Sequence, residues 1–486
     1  MSTQPKIIGE GLAFDDVLLV PQRSSIRSRF SGEIDTTARV ALGAPSIHIP
    51  VISANMDTVT GWKMATSMAL LGGFGVIHRF MSTAEEVSEV RRVKERMRVI
   101  EEHPPVIPGH ATIHDARLML KQRERGYVIV HAGESFDGSF IGIATPRDFD
   151  AGRPDTPLTE VMTPFERVHR VAPGTSLEEA VAAMRQHRVE KIPMVDANGR
   201  LLGVYTTKDH EYYQHYPNAS LDGKGRLLVA AAIGVQEGDI ERALALAAAE
   251  VDVLVLDIAH GELDYTQEIL RRLKVVEGLK TPIIAGNVAT VDGAKYVRDS
   301  GADGVKVGVG PGYVCETRDV AGVGVPQVTA IMNAAEAYKN DSVRLPIIAD
   351  GGIRKPGDMA KAIGAGADTI MIGSLLAGTE ESPGEPVEQD GILKKMVRGM
   401  ASATAFEKRL ALGATTTSLE DYVPEGRTTF TPYKGKASKV VKKLRGGLLS
   451  GMSYSNARTI EEMQERAQFV IVKNPMMPEQ RRSLQS

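Results

Sequence analysis

The chain is poorest in cysteine, with Cys315 alone among 486 residues. A solitary thiol excludes an intrachain disulfide and any zinc centre built from several thiolates. Aromatic residues are scarce too, at 5% with one tryptophan. No apolar run approaches the roughly 20 residues that cross a bilayer, and the opening Met1-Ser2-Thr3-Gln4-Pro5-Lys6 lacks the apolar core of a signal peptide. A cytoplasmic location with no membrane partner is expected. An excess of one charge is also missing: 58 basic against 61 acidic side chains give a formal net charge of -3. That balance provides neither a basic stripe for nucleic acid nor a polybasic membrane patch.

Glycine is abundant, at 48 residues, which implies many tight turns and backbone packed closely against ligands. The length exceeds one compact core, so two or three units are expected. Short apolar, β-rich segments recur, most of them followed by a helical pattern: Pro50–Asp57, Gly72–His78, Leu227–Gly234, Val251–Ala259, Thr281–Val288, Ala302–Val309, Pro346–Ile353 and Asp368–Leu376. Eight such units are what an α/β fold of the (β/α)8 TIM-barrel type requires, with a doubly wound open sheet as the competing topology. Gln236–Glu250 and Pro356–Gly364 read as outer helices, the second opening on proline in its first turn.

Between the second and third strands the pattern changes and repeats. Ala111–Ala116 matches Thr175–Ala180, and Ile141–Asp148 matches Leu202–Asp209, at offsets of 64 and 61 residues. The predicted organisation is therefore a first barrel part over 1–100, a tandem insert over 101–218 with repeats near 101–155 and 156–218, and the remaining barrel over 219–486. The repeats, each ending in T-x-[RK]-D, resemble paired CBS modules, which implies a regulatory site for adenine or guanine nucleotides. An inert pair of α+β inserts is the alternative. A polar excursion over about 379–434, with Pro383-Gly384, Gly413, Thr415-Thr416-Thr417 and Pro424-Glu425-Gly426, reads as an irregular mobile flap, with a plain linker as its alternative.

In a barrel the chemistry gathers at the carboxyl ends of the strands, where Ser53, Asn55, Asp57, His78, Asp257, His260, Asn287, Asp350 and Ser374 fall. His78 and His260 serve equally well as structural histidines, and Lys306, inside the sixth strand, needs a partner in the core. After that strand comes Gly308-Val309-Gly310-Pro311-Gly312-Tyr313-Val314-Cys315-Glu316-Thr317-Arg318. Such a loop turns backbone amides and carbonyls toward a ligand or ion, and it carries the only thiol. Flanked by Arg318 and amides, Cys315 is expected to have a lowered pKa and to act as a nucleophile; a small buried hydrophobe is the alternative. Ala349-Asp350-Gly351-Gly352 and Ile372-Gly373-Ser374 close the last two strands, where barrels bind phosphate through backbone amides.

These motifs, with Phe14-Asp15-Asp16-Val17, Ala54-Asn55-Met56-Asp57, Gly378–Glu385 and Arg398-Gly399-Met400, resemble the inosine monophosphate dehydrogenase and guanosine monophosphate reductase family over nearly the whole chain. The resemblance implies a purine nucleotide joined through C2 to Cys315, hydride exchange with a nicotinamide cofactor, and Thr317 as a supporting acid/base group. It places Asp350 on the ribose, Gly352, Gly373 and Ser374 on the phosphate, Met400 and Glu425 on the base, and Asp257 and Asn287 beside the nicotinamide. Ser53 joins the substrate set. Carbonyls of Gly310, Gly312 and Cys315 would hold a monovalent cation, potassium in the family. Square tetramers, joined into octamers by CBS pairs, are also implied.

Dehydrogenases of this family hydrolyse the adduct with a flap Arg-Tyr pair, whereas reductases expel ammonia. Here Arg409 precedes Leu410 and the nearest tyrosine is Tyr422, which favours GMP reduction with NADPH. Asn55 and Met452-Ser453-Tyr454 point the same way. The CBS-like pair and the Gly-Thr-Glu-Glu-Ser-Pro-Gly-Glu run favour the alternative, IMP oxidation with NAD. A catalytically silent nucleotide sensor is the reading from another class. Tyr313 stands where the family has serine, Val397 where it has tyrosine, and Ala403 where many reductases have glutamate. Glu316 and Glu407 are then the nearest carboxylates for ammonia.

Overall fold

The structure, a computed structural model, describes residues 6–97, 99–123, 126–133, 135–236, 238–412, 418 and 420–472. Eight parallel strands, β1 (Val51–Ser53), β2 (Phe74–Ile77), β3 (Ala230–Ile233), β4 (Val253–Asp257), β5 (Ile283–Val288), β6 (Gly304–Val307), β7 (Ile347–Asp350) and β8 (Thr369–Ile372), form a closed barrel. Each lies within one of the eight segments marked in the sequence. Closure is made by β2 against β3, with Val76 opposite Ala230 and Ile77 opposite Ala231, so the open-sheet alternative is excluded.

The interior is solid. Phe74 and Val76, Ala230 and Ala232, and Val253 and Val255 point inward at every second position, meeting Ile52, Ile284, Ile348 and Met371 in one buried cluster. Val40, Ala41 and Ile47 belong to the same cluster. A filled barrel leaves no channel, so ligands must be met by the loops at the strands' carboxyl ends.

Two expected outer helices are present, Asp239–Ala248 and Pro356–Gly364. The Asp358 carboxylate accepts the amides of Arg354 and Lys355 at 3.0 and 3.1 Å, satisfying donors that have no partner within the helix. After the excursion the chain forms one long helix, Ala437–Tyr454, opening on a run of lysines. It continues because Leu444, Leu448, Leu449 and Met452 extend its buried stripe past the lysines.

The excursion is not irregular. It folds into an antiparallel sheet of β9 (Val387–Gln389), β10 (Ile392–Arg398) and β11 (Thr428–Pro432), followed within the β10–β11 connection by the helix Ala403–Ala411. Polarity hid β10, whose buried positions include Lys395; its ammonium donates to the carbonyls of Ser382 and Glu380 at 2.7 and 3.4 Å. Gly413 and the Thr415–Thr417 run lie outside the described residues.

Residues 97–217 with 224–226 form a second compact unit, and 1–96, 218–223 and 227–486 the first. Within the second, both repeats place a helix (Ile113–Arg123, Leu177–His187) before an antiparallel strand pair, 128–131 with 142–144 and 191–195 with 201–206. The matched motifs do local work. Asp148 accepts the Thr145 amide and hydroxyl at 2.7 and 2.8 Å, and Asp209 accepts the Thr206 hydroxyl at 2.6 Å. Among the described residues no helix is long and apolar enough to cross a membrane.

Candidate active site

The thiol loop leaves β6 under tight constraint. A Cβ on Gly308 would lie 2.1 Å from the carbonyl oxygen of Asp350, so no other residue lets the chain pass over β7 here. Gly310 follows at φ +82°, in the left-handed region. The Cys315 amide then donates to the Gly312 carbonyl at 3.1 Å, closing a turn that presents a partly buried thiol. Its sulfur is 3.3 Å from the Thr317 hydroxyl.

Two parts of the excursion meet this loop. Cys315 pairs with Gly426, the Glu316 amide donates to the Glu425 carbonyl at 2.8 Å, and the Arg427 amide donates to Val314 at 3.0 Å. In turn the Glu425 amide donates to Ala401 at 3.1 Å and the Gly399 amide to Arg427 at 3.0 Å. Cys315, Glu316, Thr317, Met400 and Glu425 are thus brought together by backbone bonds, to which the Arg427 guanidinium adds a bond to the Tyr313 carbonyl at 2.9 Å. Arg318, expected beside the thiol, donates instead to the Val325 carbonyl at 2.8 Å.

A second cluster joins the ends of β4 to β7. Lys306, 3% exposed, puts its ammonium 2.7 Å from Asp350 Oδ2 and 3.5 Å from Asp257 Oδ1, and it also bonds Asn287 Oδ1. Asn287 donates to the Gly308 carbonyl at 2.7 Å and to Asp350 at 3.0 Å. Burial alone would push the Lys306 pKa down, but the facing carboxylates of Asp350 and Asp257 hold it above the usual lysine range. The sequence marked Asp257, Asn287 and Asp350 separately; the lysine that unites them was recognisable only as a core residue in need of a partner.

Beside the thiol loop lies a cleft of about 240 Å³ lined by Pro311, Tyr313, Arg318, Gly352, Arg354 and Ser374, among others. Gly352 sits at φ +79°, and Gly373 directly precedes Ser374. Arg318 and Arg354 also line the cleft, Arg354 paired with the Asp15 carboxylate there. A larger cavity, about 490 Å³, lies between Trp62 and Glu380–Pro386. It contains none of the expected site residues, so the smaller cleft is the better match to the chemistry. Ser53 is buried, and its hydroxyl has no hydrogen-bond partner among the described residues.

On the β1–β2 side, Asp57 pairs with Arg398 and lies 3.5 Å from Lys408. Burial would raise the Asp57 pKa, but the Arg398 hydrogen bond and charge bring it below the usual carboxylate value. His78 is buried, and its Nδ1 accepts the Phe80 amide at 3.2 Å. Burial pushes its pKa down to about 4, leaving a neutral ring with a structural bond.

A profile of the IMP dehydrogenase / GMP reductase domain matches residues 11–482. The chain belongs to this family. It is 43% identical over 465 residues to inosine-5'-monophosphate dehydrogenase of Nitrosopumilus maritimus, covering 95% of each chain. It is 42% identical over 472 residues to GMP reductase of Leishmania donovani, covering 95% of this chain and 94% of the relative. The structure of GMP reductase from Trypanosoma brucei in complex with guanosine 5'-monophosphate superposes with a TM-score of 0.90 at 40% identity, covering 99% of this chain and 98% of that one. A second structure of the Trypanosoma brucei enzyme, in complex with guanosine 5'-triphosphate, gives a TM-score of 0.81 at 38% identity, covering 96% and 99%.

The family is one of oxidoreductases working with nicotinamide cofactors. Against its pattern, Tyr313 is 56% exposed and carries the Arg427 guanidinium 4.8 Å above its ring. Val397 is buried in β10 and offers no hydroxyl. The missing Arg-Tyr dipeptide has a counterpart in space. The Arg409 guanidinium lies 5.8 Å over the Tyr422 ring, and that ring stacks on Phe406 at 3.9 Å. The Tyr422 hydroxyl donates to the Ala401 carbonyl at 2.8 Å. Burial, the larger influence, raises the Tyr422 pKa against the opposing pull of Arg409.

Proposed function

We propose that this protein is a GMP reductase, converting GMP to IMP and ammonia with NADPH. The observation that carries the proposal is the lone thiol of Cys315, 3.3 Å from the Thr317 hydroxyl, on a loop that borders a cleft fit for a nucleotide phosphate. The Cys315 sulfur bonds to purine C2, and the C2–N bond to the 2-amino group breaks as that nitrogen takes up protons and leaves as ammonia. NADPH supplies the hydride that C2 gains, and the C2–S bond breaks to return the thiol. Thr317 is the polar side chain in contact with the sulfur, so it is the group through which protons move there. Asp350 takes ribose hydroxyls, Gly352, Gly373 and Ser374 the phosphate, Met400 and Glu425 the base, and Asp257 and Asn287 the nicotinamide nucleotide.

Reduction is favoured over hydrolysis by the state of Tyr422. With its hydroxyl committed to Ala401, its ring stacked on Phe406 and its pKa raised by burial, it is a poor base for water. The second reading, IMP oxidation to XMP with NAD, is supported by the Arg409–Tyr422 contact itself and by the dehydrogenase relatives.

The carbonyls of Gly310, Gly312 and Cys315 are hard oxygen donors suited to potassium, and the Gly312 oxygen keeps a lone pair beside its bond from Cys315. The segment 379–434 acts as the flap over the site. The two repeats form a CBS pair reading an adenine or guanine nucleotide, and the protein works in the cytoplasm as a tetramer or octamer. The test is turnover in both directions. GMP-dependent NADPH oxidation that vanishes in Cys315→Ala supports the reading. XMP formation from IMP and NAD as the main activity refutes it, and turnover that survives Cys315→Ala removes the covalent step.

A further inference from the structure

The turn after β8 carries Gly373 and Ser374 and must dispose of a run of carbonyls that no strand or helix satisfies. The Gly373 oxygen accepts the amides of Leu376 and Ala377 at 3.0 and 2.9 Å, and the Leu376 oxygen accepts the Thr379 amide and hydroxyl at 3.1 and 2.7 Å. The other three, from Ser374, Leu375 and Ala377, all accept from one ammonium, that of Lys434, at 2.7, 3.3 and 2.7 Å. An ammonium has three N–H donors, and all three are used.

Lys434 lies two residues past the last strand of the excursion. Its own amide donates to the Gly378 carbonyl at 2.8 Å, the Tyr433 amide to Leu393 at 2.8 Å, and the Glu380 amide to the Gly435 carbonyl at 2.9 Å. Lys434, with the neighbouring Gly435, therefore fastens the return of the excursion to the turn at the cleft. No ion pair accompanies it among the described residues, and the charge is met by carbonyl dipoles alone, as a bound monovalent cation would be.

We propose that Lys434 is a built-in cation and a positioning residue, gathering the Ser374, Leu375 and Ala377 carbonyls so that the Gly373–Ser374 turn is preformed for the 5'-phosphate of the nucleotide. This rests on the reading of that turn as the phosphate site. Lys434 touches no substrate; it sets the shape of the group that does. Removing it unbinds three carbonyls at once, and the turn must then be ordered by the ligand, at a cost in affinity.

The test is Lys434→Ala, with Lys434→Gln as a neutral variant that keeps two N–H donors on a side chain one bond shorter. Dissociation constants for GMP and guanosine, and for IMP and inosine, are measured on the full-length protein with melting curves alongside. The expected result is GMP and IMP affinity lowered about tenfold in Lys434→Ala and less in Lys434→Gln, with nucleoside affinity unchanged. Ethylammonium or propylammonium, but not tetramethylammonium, restores nucleotide affinity to Lys434→Ala. If nucleotide and nucleoside binding fall together, or neither falls, the inference is overturned. Should Lys434→Ala not fold, an unchanged GMP preference in Lys434→Gln overturns it equally. A wild-type protein that binds guanosine as tightly as GMP would instead sink the phosphate reading beneath it.

Discussion

Replacing Lys306 with methionine should separate the polar cluster's electrostatics from its packing. The two side chains have similar length, so the barrel interior stays filled while two carboxylates lose their cation. Asp350 and Asp257 are only 21% and 19% exposed at the side chain, too little for water to take over. Truncating one member of a buried ion pair costs about 3–5 kcal/mol because the other charge is left uncompensated. Partial exposure places Lys306→Met at the lower end, roughly 3 kcal/mol. Unfolding entropy near 2.1 cal/mol/K per residue over a barrel of this size converts that to a fall in Tm of roughly 4 °C. Adding Asp257→Asn to Lys306→Met should recover part of the loss, since one of the two stranded charges is gone. Calorimetry of the wild type, both single variants and the double variant measures this. A Lys306→Met protein that melts with the wild type, or a double variant no more stable than Lys306→Met, would refute the argument.

Three further expectations follow from the same geometry. In Tyr422→Phe the Ala401 bond is lost but the stack on Phe406 remains; on the reductase reading GMP turnover changes less than about threefold, about 0.7 kcal/mol, and a collapse of turnover would return the tyrosine to the chemistry. His78, with a folded pKa near 4 against 6.5 unfolded, binds fewer protons folded than unfolded between those values. Its contribution is complete above pH 6.5 and lost as pH falls to 4, about 3 kcal/mol in all, so His78→Gln should flatten the stability profile in that window alone. Asp15, held near pKa 2 by hydrogen bonds from Arg354 and Lys355, contributes above pH 3.8 and loses that contribution as pH falls toward 2; Asp15→Asn should lower Tm slightly at pH 7 and by less at pH 2.5.

The barrel was legible because its signal is local. Strands buried on both faces read as apolar runs, and all eight carry that pattern in the chain itself. The thiol loop was equally plain, since Gly308, Gly310 and Gly312 mark a backbone that other residues cannot follow. Less is legible where a role depends on distant partners. Ser53 ends a barrel strand between Ile52 and Ala54, which both join the interior cluster, so its buried side chain faces the opposite side of the sheet. β10 escaped notice because Lys395 is buried against carbonyls 13 and 15 residues away in sequence, which no periodicity records.

The missing Arg-Tyr dipeptide favours reduction only if neighbours in sequence are the sole way to bring a guanidinium to a phenol. The helix Ala403–Ala411 carries Arg409 on the face that also bears Phe406, three residues earlier and so one turn away. Tyr422, arriving from beyond that helix, stacks on Phe406 and comes under Arg409. Proximity alone is therefore not what separates the two reactions. A water base needs a phenol whose pKa is drawn down and whose oxygen is free; here burial outweighs the arginine and Ala401 occupies the hydroxyl. The discriminating comparison is Arg409→Ala: if the pair only packs, GMP reduction persists while the melting temperature falls, whereas loss of XMP formation at unchanged stability would make the arginine part of a hydrolytic step.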